Sequence, residues 1–177
     1  MELNPSKTSF GRNETFNLRY SWLNKGLKEL KQNKSLFLLE EAPLILGVGK
    51  NMVNSIKYWL GAYQVIDFSM ETPSETDFGR IINKYDPYLE NPATLWLLHW
   101  KLCTNPENAT FYHWFFNHFK KTRFTKIELI NEIIDWLDDH GCKKVSPATL
   151  ERDGLLLLKT FSNSADEVKN FEESLEN

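Results

Sequence analysis

Residues Leu44–Leu60 read LILGVGKNMVNSIKYWL. Two glycines and a lysine precede an amphipathic run, and three readings compete: a phosphate loop, a piece of core, or a helix that touches DNA. A phosphate loop needs Gly, four residues, then Gly-Lys-Ser/Thr. Counting back from Gly49 puts Leu44 where the first glycine belongs, and Asn51 follows Lys50 where the magnesium-binding hydroxyl should stand. A dinucleotide fingerprint needs a third glycine, and that position is Met52. The glycines therefore read as a tight turn, because glycine reaches positive φ without steric cost. After them, Met52, Val53, Ile56, Trp59 and Leu60 recur at helical spacing and form one apolar stripe. Lys50, Asn51, Asn54 and Lys57 fall on the other face.

Working outward, NETFNLRYSWLNKGLKEL predicts a helix from about Leu18 to Leu30, with Tyr20, Leu23, Leu27 and Leu30 in register. LFLLEEAPLIL predicts a second, short helix in which Pro43 sits near a start or kink. VIDFSM alternates, with Ile66, Phe68 and Met70 on one side, as a strand does. ETPSETD reads as a polar loop, and FGRIINKY as the returning strand of a hairpin. Helix, helix, turn, helix, hairpin is the order of a winged helix-turn-helix. The remainder predicts helices. NPATLWLLHWKLCT has Asn91 as cap and Pro92 in the first turn. KIELINEIIDWLDDHG closes at Gly141, and SPATLERDGLLLLKTF starts at Ser146. These last two helices also have the look of a second helix-turn-helix. The expected fold is mainly α: a winged domain over residues 1–88, a helical bundle region over 89–161, and an acidic polar tail or linker over 162–177.

Composition narrows the function. The chain has 177 residues, enough for a real core, and 14% aromatics favour a well-packed one. No apolar run approaches the roughly 20 residues of a membrane span. The N-terminus has no apolar signal core, and Cys103 and Cys142 make no disulfide framework, so a cytoplasmic setting is expected. Net charge is −3 but uneven. Residues 1–65 carry nine Lys/Arg against five Asp/Glu, and residues 66–177 carry twelve against nineteen. A wholly basic nucleic-acid binder is excluded, whereas a local basic patch in the N-terminal third is not.

The exposed face of the Lys50 helix suits DNA. A recognition helix packs one face and offers the other to base edges and phosphates. Asn pairs with adenine, and Lys reaches guanine or phosphate. Arg80 and Lys84 are candidate phosphate contacts, although Glu71, Glu75 and Asp77 at the hairpin tip would be repelled by a DNA backbone. His99/Cys103 and His113/His118 meet no zinc spacing rule, so no metal site is assigned. The run Phe111–Phe119 lacks interleaved basic residues and reads as core. Asp86 and Glu90 stand one turn apart if helical, and Asp135, Asp138 and Asp139 cluster at a helix end.

FGRNETFNLRYSWLNKG, LGVGKNMVNSIKYWL and DPYLENPATLWLLHW, in that order, resemble a bacterial domain-of-unknown-function family, as does SPATLERDGLLLLKTF. The genes of that family sit beside those for DNA phosphorothioation: a cysteine desulfurase, an ATP-binding protein and a PAPS-reductase-like enzyme. The resemblance runs from about Phe10 to Phe161 and matches Glu14, Arg19, Lys50, Asn51, Asp86, Glu90 and His99. It departs at Asn13, where the family often has His, and at Asn91, where an acidic residue often follows DPYLE. Family members are usually longer, so an N-terminal part is expected. The resemblance implies a DNA-binding component of a phosphorothioation, anti-phage defence system, with duplex DNA and the modification proteins as partners. One alternative is a metal-dependent nickase using Mg or Mn, with Glu14, Asp86 and Glu90 as its candidate carboxylates. The other is an adaptor that docks the modification enzymes. No cofactor is expected outside the nickase reading, and a homo-oligomer stays open.

Overall fold

The computed structural model describes residues 3–161, so the expected acidic tail lies outside the described residues. Helix α1 spans Tyr20–Gln32 and buries Trp22, Leu23, Gly26, Leu27 and Leu30. LFLLEEAPLIL is not one helix. It splits into a 3-10 turn, Leu36–Leu38, and helix α2, Ala42–Leu46. Pro43 fits the break, because it has no N–H to donate back to Leu39 O and is tolerated in the first turn of α2 rather than in a helix interior. At the other end of α2, Gly47 adopts φ 60. The N–H of Val48 donates to Pro43 O at 3.0 Å and that of Gly47 to Leu44 O at 3.2 Å, closing the helix with both bonds of a Schellman motif.

Helix α3 follows over Lys50–Ala62. Val53, Ile56, Trp59 and Leu60 are buried as the stripe predicts, and Met52 is half-buried. Helix α1 packs on α3, with Gly26 facing Ile56 and Leu60. The hairpin is much smaller than the alternation suggested. Strand β1 is Ile66–Asp67, and its antiparallel partner β2 is Ser74–Glu75. Met70, expected on the same side as Ile66, is exposed, whereas Ile66 is buried.

FGRIINKY is not the returning strand. It belongs to helix α4, Asp77–Tyr85. Thr76 starts that helix by accepting the Gly79 N–H at 2.9 Å on its hydroxyl. The fold also needs glycine at 79, because a Cβ there would stand 2.2 Å from the Val65 carbonyl oxygen.

The remaining helices are α5 (Pro92–Cys103), α6 (Thr110–Asn117), α7 (Lys126–Asp139) and α8 (Pro147–Phe161). Asn91 caps α5, accepting the Ala93 N–H at 2.9 Å. Thr125 and Glu128 form a capping box on α7. The buried apolar side chains from Trp22 to Leu157 form one continuous core. None of the described helices is long and apolar enough to cross a membrane.

Two contacts fix the segment before α1. Asp153 of α8 is 3% exposed and accepts the Gly11 N–H and the Asn13 side-chain amide, both at 2.8 Å. The Trp59 indole N–H donates to Phe16 O at 3.0 Å. These bonds lay residues 9–16 against α3 and α8, and so place the basic groups described next.

Candidate nucleic-acid interface

Lys50, Asn51, Asn54 and Lys57 are all exposed, opposite the buried stripe of α3. Gly49 precedes the helix, and no side chain caps its first turn. The N-terminal end of α3 therefore presents Lys50 and Asn51 to solvent beside the positive end of the helix dipole. Farther along, Asn54 and Lys57 are not on an open surface. They line a groove of about 670 Å³ whose opposite wall is the N-terminal segment. The Asn54 amide reaches Glu14 Oε1 at 3.4 Å, and the Lys57 ammonium lies 5.5 Å from the centre of the Phe68 ring.

Lys7, Arg12 and Lys143 line the same groove, and the sequence reading named none of them. They come from the start of the chain and from the α7–α8 connection, so only tertiary packing joins them to α3. The one sequence signal was the N-terminal charge excess, which includes Lys7 and Arg12. Lys7 pairs with Glu107 at 3.5 Å across an exposed contact. Arg12 and Lys143 have no hydrogen-bond or ion-pair partner among the described residues. The groove thus holds the cations Lys7, Arg12, Lys57 and Lys143 against the carboxylates Glu14 and Glu107.

Arg80 and Lys84 stand on α4 rather than on a wing strand. Arg80 donates to Glu75 O at 2.7 Å and pairs with Asp77. Lys84 lies 4.8 Å from the centre of the Tyr85 ring. Two of the three hairpin carboxylates are neutralised locally, since Glu75 also pairs with Lys31 at 3.3 Å.

The carboxylates weighed for catalysis occupy different settings. Glu14 has φ 50 and lines the α3 groove. Asp86 follows α4 in a turn, so it and Glu90 do not share a helix face. Its oxygens accept the N–H of Glu90 at 2.9 Å and of Asn91 at 3.1 Å. The Thr94 hydroxyl and these backbone donors hold its carboxyl below the usual range. Asp86 organises the entry to α5. Among the described residues no three His, Cys, Asp or Glu side chains gather as metal ligands. His99 sits among Trp96, Phe116 and Phe161, and burial lowers its pKa. Burial pushes the neighbouring Cys103 thiol up to about 12. His113 Nδ1 lies 2.8 Å from Cys103 O.

A magnesium ion-bound crystal structure of SspB superposes with a TM-score of 0.79 at 30% sequence identity, over 88% of this chain and 49% of that one. A second SspB crystal structure gives a TM-score of 0.76 at 29% identity, over 88% and 50%. This chain therefore spans about half the length of the solved structures it matches. No curated protein sequence matches it. Over residues 10–177 it matches the family model described as "Protein of unknown function (DUF4007)", and the chain belongs to that family.

Proposed function

We propose that this chain is a duplex-DNA-binding part of a bacterial DNA phosphorothioation system. In this reading α1, α2 and α3 with the β1–β2 hairpin act as a compact winged helix-turn-helix. The observation that carries it is the segregation of α3, with Lys50, Asn51, Asn54 and Lys57 exposed opposite a stripe in which Val53, Ile56, Trp59 and Leu60 are buried. The order α1, α2, glycine turn, α3, hairpin supports it, as does the likeness to SspB. Lys50 and Asn51, at the helix start, are placed for base edges, because recognition helices enter the major groove with their N-terminal residues. Lys57, Arg12 and Lys143 supply the flanking phosphate contacts. Arg80 needs its bond to Asp77 opened before it meets phosphate, and that exposed pair costs little to open.

The test is binding of a labelled duplex by fluorescence anisotropy. Asn51→Ala/Lys57→Glu is expected to bind about tenfold or more weakly, since a lost base contact costs ~1–3 kcal/mol and a reversed charge adds repulsion. Equal binding by both proteins, or none by either at low salt, contradicts the reading.

Two other readings separate from it by experiment. A magnesium-dependent nickase is suggested by the metal in the SspB structure. Among the described residues Glu14, Asp86 and Glu90 stand apart, and no three His, Cys, Asp or Glu side chains gather. No chemical step is therefore assigned to this chain. An adaptor role is favoured by α5, where Trp96 and Trp100 are 72% and 67% exposed. Co-purification with the modification enzymes without a duplex shift would favour the adaptor.

A further inference from the structure

A second basic concavity, of about 340 Å³, uses no residue of α3. Thr15, Asn17 and Arg19 form one wall, and Arg152, Leu155 and Lys159 of α8 form the other. The three α8 residues fall at i, i+3 and i+7, so they share one face. Among the described residues that line it, three side chains are cations and none is a carboxylate. The groove on α3, by contrast, carries two carboxylates. Like charges gathered without a counter-charge are unfavourable, and an anion relieves that cost.

Lys159 has no hydrogen-bond or ion-pair partner among the described residues. Arg152 makes one long contact, 3.3 Å to the Thr149 hydroxyl. Arg19 lies 5.5 Å from the centre of the Trp22 ring, a stacking that orients its guanidinium. The Thr160 hydroxyl lies 3.3 Å from Asn17 Oδ1 but gives its one hydrogen to Leu156 O at 2.8 Å, and the Asn17 amide hydrogens have no acceptor among the described residues.

The first wall also runs through strained backbone. Glu14 and Thr15 have φ 50 and 65 without being glycine. Asn13 holds the turn by accepting the Thr15 N–H at 3.0 Å, and Asp153 holds Asn13. Strain maintained by such buried bonds is a feature of binding sites. Guanidinium groups match the oxygens of a phosphate two at a time, and an ammonium adds a point charge. Leu155 and Phe16 offer apolar surface to the organic body that carries the phosphate.

We propose that this concavity is a phosphate-binding site, held by Arg19, Arg152 and Lys159, for a nucleotide or for a phosphate of a nucleic-acid strand. Calorimetric titration of the chain with inorganic phosphate and with a nucleoside monophosphate tests it. Saturable binding is expected, weakened about tenfold or more in Arg152→Glu/Lys159→Glu. Arg152→Gln, the milder change, is expected to weaken binding as well and covers the case where the double variant does not fold. Lys28→Glu, an exposed charge reversal on α1 that lines neither groove, is expected to bind phosphate like wild type, which shows that the loss is local to this site. Displacement of a labelled oligonucleotide from the site by phosphate assigns the source to a strand. Tighter binding of the free nucleotide without displacement assigns it to a nucleotide. No saturable uptake by wild type, or equal uptake by the charge-reversed and Arg152→Gln variants, overturns the proposal.

Discussion

Trp59→Ala is expected to lower the unfolding free energy by about 3–5 kcal/mol, the range for deleting a large buried aromatic. Trp59 is 1% exposed on α3. Its ring sits 4.9 Å from Tyr58, 5.5 Å from Tyr63 and 6.0 Å from Tyr112, measured between centroids. Such a cluster relaxes poorly around a void. The variant also strips Phe16 O of the indole donor that lies 3.0 Å away. Trp59→Phe keeps most of the volume but loses that bond, so a smaller cost of about 1–2 kcal/mol is expected. Denaturant unfolding measures both. A loss below about 1 kcal/mol for Trp59→Ala would mean that α3 is not seated on this cluster.

Asp153→Ala is expected to cost roughly 3 kcal/mol, because it leaves the Gly11 N–H and the buried Asn13 amide without an acceptor. Hydrogen exchange localises the effect. The amides of Gly11 and Thr15 should exchange faster, while those in the middle of α3 keep their protection. The pH dependence has a defined sign. Burial pushes the Asp153 carboxyl up, and the Gly11 N–H and the Asn13 amide pull it back only in part. A raised folded-state pKa contributes stability that is complete below the unfolded carboxylate range, near ~3.9, and lost as pH rises through the folded value. The stability gap between wild type and Asp153→Asn should therefore be widest in acid and narrow toward neutral pH. A gap that widens with pH contradicts the burial account.

Local features of the fold were legible in the sequence. The α3 stripe, the glycine turn and the Asn91 cap follow from short-range sterics and hydrogen bonding, and all three stand where the residues put them. Reading α4 as a strand failed at Ile81-Ile82, since β-branched residues serve a short helix or a strand equally in a short apolar run. The deciding signal was Thr76, whose hydroxyl meets the Gly79 N–H three residues on. LFLLEEAPLIL was overextended because Pro43, with no N–H to donate back to Leu39 O, marks a helix start rather than a helix interior.

The interface was half legible. Lys50, Asn51, Asn54 and Lys57 share a helix face, so spacing finds them. Lys7 and Arg12 reach the same groove because Asp153 and Trp59 anchor the N-terminal segment, and Lys143 enters it from the α7–α8 connection. No local pattern carries that information. The Arg152–Lys159 spacing is visible along α8, but its convergence with Arg19 comes from packing.

The most direct test of the central claim is duplex DNA affinity measured as a function of salt, for wild type and for Lys57→Ala. Each protein–phosphate contact contributes about 0.9 to the slope of log affinity against log salt. The account predicts saturable binding at low salt that weakens steeply as salt rises, with a slope smaller by about 0.9 in Lys57→Ala. Absence of duplex binding by wild type at low salt, or a slope that Lys57→Ala leaves unchanged, would contradict it.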